Sequence, residues 1–292
     1  MRGRWFLFPL TLTLAFLTGC DLEEFGGSTR FQEDFHKTYP MKAGGRLYLE
    51  NFNGSLEISG WDQDMADISG TKYAATEQTM SALTVDVVAS GDAIRIRTVR
   101  PSGHRGNMGA RYVVKVPRRT SLERIESSNG GIRVTDIDAP ARLETSNGGV
   151  EVSNAGGPVT VRTSNGGVRA SGVRGGIEVS TSNGGIRVSL AKAEERRPVR
   201  LRTSNGSVEL SAEDLRNNDV VASTSNGSIT VRLPGSVSVD VKASTSNASI
   251  TNEFDAAFKG RSGKTYLEGT IGAGGPMLDL STSNGSIRLL RM

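Results

Sequence analysis

Carboxylates that converge along a groove can act as acid and base on a glycosidic bond, and Asp136, Asp138, Glu144, Glu151 and Glu178 are the candidates in this chain. They stand singly on expected strands or turns, so outward-facing charge is the reading they support. His36 and His104 are the two histidines and share no metal-binding spacing. Aspartates in series, which calcium-binding corners supply, are replaced here by Ser-Asn-Gly. There is no glycine-rich phosphate loop before a helix and no nucleophile elbow, and Ser-Asn-Gly recurs too often to mark one serine as a nucleophile. The expectation is therefore a protein that is not an enzyme, with no catalytic residue, no cofactor and no metal.

What recurs instead is one phrase: ESSNGGIRV, ETSNGGVEV, RTSNGGVRA, STSNGGIRV, RTSNGSVEL, STSNGSITV, STSNASITN and STSNGSIRL. Its asparagines are Asn129, Asn147, Asn165, Asn183, Asn205, Asn226, Asn247 and Asn284, spaced by 18, 18, 18, 22, 21, 21 and 37 residues. A fixed period of this length is the mark of stacked units, none able to bury its own apolar side. After each Asn-Gly the apolar residues alternate, as in Ile132 and Val134 or Ile186 and Val188, which is a strand period. A weaker second strand, seen in GPVTVRTSNG, completes each unit. Repeated hairpins would give the same local pattern, since Asn-Gly is a hairpin turn signal. The near-constant period with identical corners at one end and variable ones at the other favours an all-β β-solenoid of short two-strand coils with Asn-Gly corners. Glycine and asparagine tolerate positive φ, so each corner is expected to turn through it. In register, the eight asparagines would form a structural column, each amide bonded to the next.

The elements around this stack follow in order. Residues 1–19 read as a signal peptide, and residues 20–43 as a modified cysteine and tether that includes an edge segment at 29–39. Residues 44–121 read as a less regular N-terminal β section capping the stack, and residues 122–292 as the repeat solenoid. Within the cap, Asn53-Gly54 is an early copy of the corner. Strands are expected at 83–89, 93–99 and 110–116, with a short helix at 76–82. Arg95, Arg97, Arg100, Arg105, Arg111, Lys115, Arg118 and Arg119 crowd one stretch that could face an anionic polymer, although the alternation of Arg with Ile and Val also fits a solvated strand face. The opposite corners, such as 192–198 and 213–219, absorb the insertions and are the better place for a specific binding edge. The last coil, 266–289, is expected to end the stack, and Ser262-Gly263 to be a degenerate corner before it.

Arg2 and Arg4, the apolar run from Trp5 to Leu17, and small residues before Cys20 have the form of an export signal. Leu17-Thr18-Gly19-Cys20 resembles the lipobox of bacterial lipoproteins, which implies that Cys20 is the lipidated N-terminus of a 273-residue mature chain. Cys20 is the single cysteine, so no internal disulfide can form. The expected location is the cell envelope, with the protein body in water on the periplasmic or cell-surface side of a membrane that holds the lipid. Without the signal, 33 basic residues face 31 acidic ones, too even a balance for a nucleic-acid partner. With 36 glycines and 5% aromatics, the composition suits a thin, elongated body rather than a large-cored enzyme.

LENFNGSLEISGW, the strand Tyr112 to Pro117, the serial TSNGGI corners and the closing LSTSNGSIRL together resemble the bacterial DUF4097 family, to which adhesion is ascribed. The similarity spans roughly residues 44–289. It implies an exported or membrane-attached β-repeat protein and carries no functional residues over to this chain. The function expected is a noncatalytic, lipid-anchored envelope protein, an adhesin or interaction scaffold, with an envelope protein or an anionic polysaccharide as partner. A stress-sensing scaffold and a polysaccharide-acting β-helix enzyme are the alternatives.

Overall fold

The computed structural model describes residues 31–103, 105–191, 197–216 and 218–292. Its unit is visible between Ala141 and Thr163. The strand Ala141–Thr145 runs through Ser146-Asn147-Gly148-Gly149 into Val150–Ser153, and a second corner leads to Val159–Thr163, one coil further on. Within the repeat, from Ser121 to Leu233, consecutive strands fall in different sheets, so none there pairs with its neighbour in sequence as a hairpin would. Ala141–Thr145 pairs in parallel with Val159–Thr163, residue for residue at a spacing of 18, and Val150–Ser153 does the same with Val168–Val173. The result is an all-β stack of parallel strand pairs resembling a solenoid, with 12 strands in sheet one and 13 in sheet two.

Period-two alternation places the apolar residues between the sheets. Val150 and Val152 from sheet one meet the layer of Val159 and Val161 from sheet two, all within 2% exposure. β-branched side chains suit this pleated interior, and one continuous core runs from Met41 to Leu289. A coil alone would leave its apolar residues half wet, so burial is completed only when the next coil stacks.

The N-terminal section continues both sheets. Arg46–Asn53 lies beside Ser121–Asn129 in sheet two, with Asn53 in register with Asn129, and Leu56–Trp61 lies beside Ile132–Thr135 in sheet one. Met108–Pro117 and Ala93–Val99 add one more parallel strand to each sheet, and only beyond them does the pairing turn antiparallel. Sheet one ends with Met65–Ala74 and Phe31–Pro40, while sheet two ends with Thr84–Ser90. The helix Glu77–Ala82 starts at Thr76, whose hydroxyl accepts the Thr79 N–H at 3.2 Å. Met80 then packs with Ala74 and Met108 in a small separate cluster.

Tyr112 is the largest buried side chain in this section, 1% exposed, edge-on to Phe35 and 2.6 Å from the Thr98 hydroxyl. Burial pushes its phenol up to about 12 from an ordinary value of 10.0. A phenol raised on folding favours the folded state fully below the unfolded value, and that contribution disappears as pH climbs from about 10 to about 12. Urea titrations across this window should therefore show wild type losing about 2–3 kcal/mol that Tyr112→Phe does not lose.

The C-terminal end departs from the simple order. Met277–Thr282 inserts between Val220–Thr224 and Val239–Thr245 in sheet two, and Ile287–Arg291 inserts between Ile229–Leu233 and Ile250–Asn252 in sheet one. The last coil in sequence is thus the second to last in space. The preceding stretch is not a degenerate coil either, because Phe258–Ser262 and Tyr266–Ile271 form an antiparallel hairpin on the edge of Val239–Thr245. The sequence carries no record of insertion, since a parallel coil offers the same edge to a strand arriving next or arriving later.

Candidate interaction surface

The corners fix every column on the stack. In each, the glycine after asparagine meets the preceding coil: a β-carbon on Gly148, Gly166, Gly184 or Gly206 would overlap the carbonyl group of the corresponding glycine one coil earlier. None of these glycines has positive φ. The expected positive φ is found at the early copy of the corner, Gly54, at 117°, and otherwise in the opposite row of corners, at Asp136, Asn154 and Gly172, with φ of 58°, 56° and 65°. Asn-Gly is therefore selected here by close approach of backbones, not by handedness.

The carbonyl so approached is held by a threonine. The hydroxyls of Thr145, Thr163, Thr181, Thr203 and Thr224 donate to Gly130, Gly148, Gly166, Gly184 and Gly206 at 2.9–3.2 Å. Thr282 and Thr245 repeat the bond to Gly227 and Gly285, and all seven threonines are buried. The signal for this column in the sequence is plain: a threonine two residues before each asparagine from Asn147 onward.

The asparagines lie outside it. Asn147 donates to Asn129 at 2.9 Å, Asn165 to Asn147 at 3.0 Å and Asn183 to Asn165 at 2.8 Å, and the chain of amides continues through Asn205, Asn226 and Asn284 to Asn247. These side chains are exposed. Water competes for exposed amides and not for buried hydroxyls, so Thr163→Val should cost about 1–3 kcal/mol and Asn165→Leu about 1 kcal/mol or less. Paired urea melts would compare them directly.

On sheet one the locked register sets Glu57, Arg133, Glu151, Arg169, Arg187 and Glu209 in one outward column. Arg133 reaches Glu57 at 3.4 Å and Glu151 at 3.1 Å, and Arg187 reaches Glu209 at 3.0 Å. The Arg187 hydrogen bond holds the Glu209 carboxyl below the usual carboxylate range. Exposed pairs of this kind add little stability; what they supply is a patterned face. Arg169 has no acid within ion-pair distance among the described residues. Beside the column runs a groove of about 610 Å³ with Gly131, Gly149, Gly167 and Gly185 along its floor.

The other candidates disperse. Glu151 belongs to sheet one, Glu144 and Glu178 to sheet two, and Asp136 and Asp138 to corners, where Arg118 lies 3.7 Å from Asp136 and Arg174 lies 3.0 Å from Asp138. No acid–base pair forms from them. Among the described residues no group of three or more His, Cys, Asp or Glu could hold a metal. The basic stretch is divided between faces: Arg95 stacks over Tyr48 on sheet two, while Arg111 and Lys115 lie over Tyr73 and Trp61 on sheet one. His36 bonds Asp67 at 3.0 Å. His104 and Cys20 lie outside the described residues. At the variable corners, a second depression of about 370 Å³ is lined by Glu213, Asp214, Arg216 and Ser236. No described helix is long and apolar enough to cross a membrane.

A solved protein of Bacteroides fragilis whose name proposes an adhesin is 12% identical, with 88% of this chain and 97% of that one covered and a TM-score of 0.46. One of Parabacteroides distasonis whose name proposes lipid binding is 14% identical, with 88% and 96% covered and a TM-score of 0.43. No curated protein matches the chain. The family model described as Toastrack DUF4097 matches residues 54–226, which begin at the first Asn-Gly corner and run to the sixth asparagine of the repeat column. With well over half of its length matched, the chain belongs to the Toastrack DUF4097 family.

Proposed function

We propose that this protein is a noncatalytic component of the cell envelope, lipid-anchored through Cys20, whose stiff β-stack presents a fixed face to a partner as an adhesin or scaffold. The observation that carries this reading is the register on both sheets, which holds outward side chains in columns repeating at about the inter-strand distance of 4.8 Å. A surface so arrayed suits a partner that is itself extended. An anionic polymer is the partner we favour: Arg142, Arg162, Arg200 and Arg202 stand exposed on sheet two without an acid in ion-pair distance among the described residues. Glu144 and Glu178 share register with Arg162 and Arg200 and moderate that charge. The asparagine column and the cap, which the strand Phe31–Pro40 extends beyond the expected boundary at residue 44, belong to the body that displays this face, and the residues from Cys20 to that strand connect it to the lipid.

Protease shaving of intact cells, with a periplasmic protein as control, tests the reading together with membrane fractionation of Cys20→Ala. Loss of the chain from intact cells supports adhesion, and protection until the envelope is opened moves the role to an internal scaffold. Retention of Cys20→Ala in the membrane fraction would remove the lipid anchor from the account.

A further inference from the structure

Among the described residues, sheet one ends at Phe31–Pro40, which pairs along its whole length with Met65–Ala74 on one side and with no strand on the other. An open edge of ten residues exposes a row of unpaired N–H and C=O groups. Native edges are usually guarded by scattered charge, but the charges on this one are ordered. Counting outward from Phe35, the flanking pairs are Asp34 and His36, Glu33 and Lys37, Gln32 and Thr38, and Phe31 and Tyr39.

In an antiparallel pair, directly opposite residues share a face, and opposite charges or two aromatics placed there attract. If two copies meet about a twofold axis at Phe35, Glu33 faces Lys37, Asp34 faces His36, Gln32 faces Thr38, Phe31 faces Tyr39, and Phe35 faces itself. The neighbouring registers lose this match. Centring on Asp34 sets Asp34 against its own copy and Glu33 against Phe35, while centring on His36 sets His36 against its own copy and Glu33 against Tyr39. The strand is thus complementary to itself in one register.

The surroundings leave charge available for that pairing. Lys37 has no acid within ion-pair distance among the described residues, and Asp34 is held by the Thr71 hydroxyl at 2.6 Å rather than by a cation. Glu33 and His36 already reach Lys72 and Asp67, each at 3.0 Å, and remain exposed. Phe31 is 37% exposed, and Phe35 and Tyr39 are only partly covered where they close this end of the core.

We propose that Phe31–Pro40 is a self-pairing edge through which a second copy of this chain joins sheet one into a single continuous sheet about a twofold axis at Phe35. Such an interface is isologous and closes at two copies. It turns one presented face into two, which raises avidity for an extended partner without any new contact to it.

Sedimentation velocity of the purified full-length chain in detergent, over a range of protein concentration, tests this. Wild type is expected to sediment as a dimer. Symmetry repeats the Glu33–Lys37 pair twice, so making both like-charged in Glu33→Lys or in Lys37→Glu should shift the midpoint about tenfold toward monomer. The double variant E33K/K37E puts acid opposite base again and should restore dimerisation, while circular dichroism melts keep all three variants folded. A wild type that stays monomeric at its highest soluble concentration would show that the charges guard the edge. A dimer indifferent to both single variants would place the interface elsewhere. Either result overturns the proposal and leaves the anchoring and display reading untouched.

Discussion

Gly166→Ala is expected to destabilise the protein by about 3 kcal/mol, and Gly167→Ala, one residue later, to change stability by no more than about 0.5 kcal/mol. The difference lies in what a methyl group would meet. On Gly166 it would enter the carbonyl of Gly148, and the coil cannot back away. Asn165 N–H holds Ser146 at 2.9 Å, Val168 N–H holds Gly185 at 2.9 Å, and the Thr163 hydroxyl holds that same Gly148 carbonyl. On Gly167 the nearest atom would be the Gly185 carbonyl oxygen at 3.4 Å, an ordinary contact, and φ is not in the left-handed region. Ser207, Ser228 and Ser286 already occupy that second position in later coils. The first position has a single exception among the eight corners, Ala248, and it lies on the coil that ends sheet one, with a neighbour on one side. Urea midpoints for the two alanine variants would separate the two roles, and equal losses would mean that backbone approach is not what selects glycine here.

Removing residues 277–292 is expected to do more than trim an end. Ile250–Asn252 pairs with Ile287–Arg291 and with no other strand, and Val239–Thr245 is joined to the body of sheet two through Met277–Thr282. The hairpin Phe258–Ser262 and Tyr266–Ile271 hangs on Val239–Thr245 in turn. Deletion therefore separates residues 239–271 from the stack and exposes the core beneath Val220–Thr224 and Ile229–Leu233. In hydrogen exchange, amides of 239–271 should lose nearly all protection while those of 141–212 keep theirs. If the stack ended with its last coil in sequence, the same deletion would leave 239–252 protected. Folding carries the same signature: residues 239–252 cannot dock in their final places until the C-terminal strands have entered between them and the preceding coil, so protection at both should appear together.

Much of the architecture was legible in the residues. The 18-residue spacing and the alternation in phrases such as GGVEV and GGIRV dictate strands, corners and stacking, because a repeated short unit can bury its apolar side only against its own copy. The helix at Glu77–Ala82 and the strand Ala93–Val99 were likewise readable from local pattern. Periodicity could not say why glycine follows asparagine. The preference of Asn-Gly for turns pointed to positive φ, whereas the contact that requires glycine is made with a residue 18 positions away and leaves no local trace. The burial of threonine was not legible for a related reason: in sequence it looks like the polar flank of a turn, and only stacking shows that its hydroxyl is enclosed.

The face of the molecule lay further from reach. The eight basic residues between Arg95 and Arg119 are close in sequence, yet alternation and a change of sheet send them to opposite sides of the stack. Glu57 and Arg133, 76 residues apart, stand side by side because their strands pair in register. The sequence alone determined the repeating unit and its inward and outward residues, since each depends on neighbours a few residues away. Tertiary structure decided the order of the last coils, the role of each corner residue and the charge columns, since these depend on which strand edge meets which.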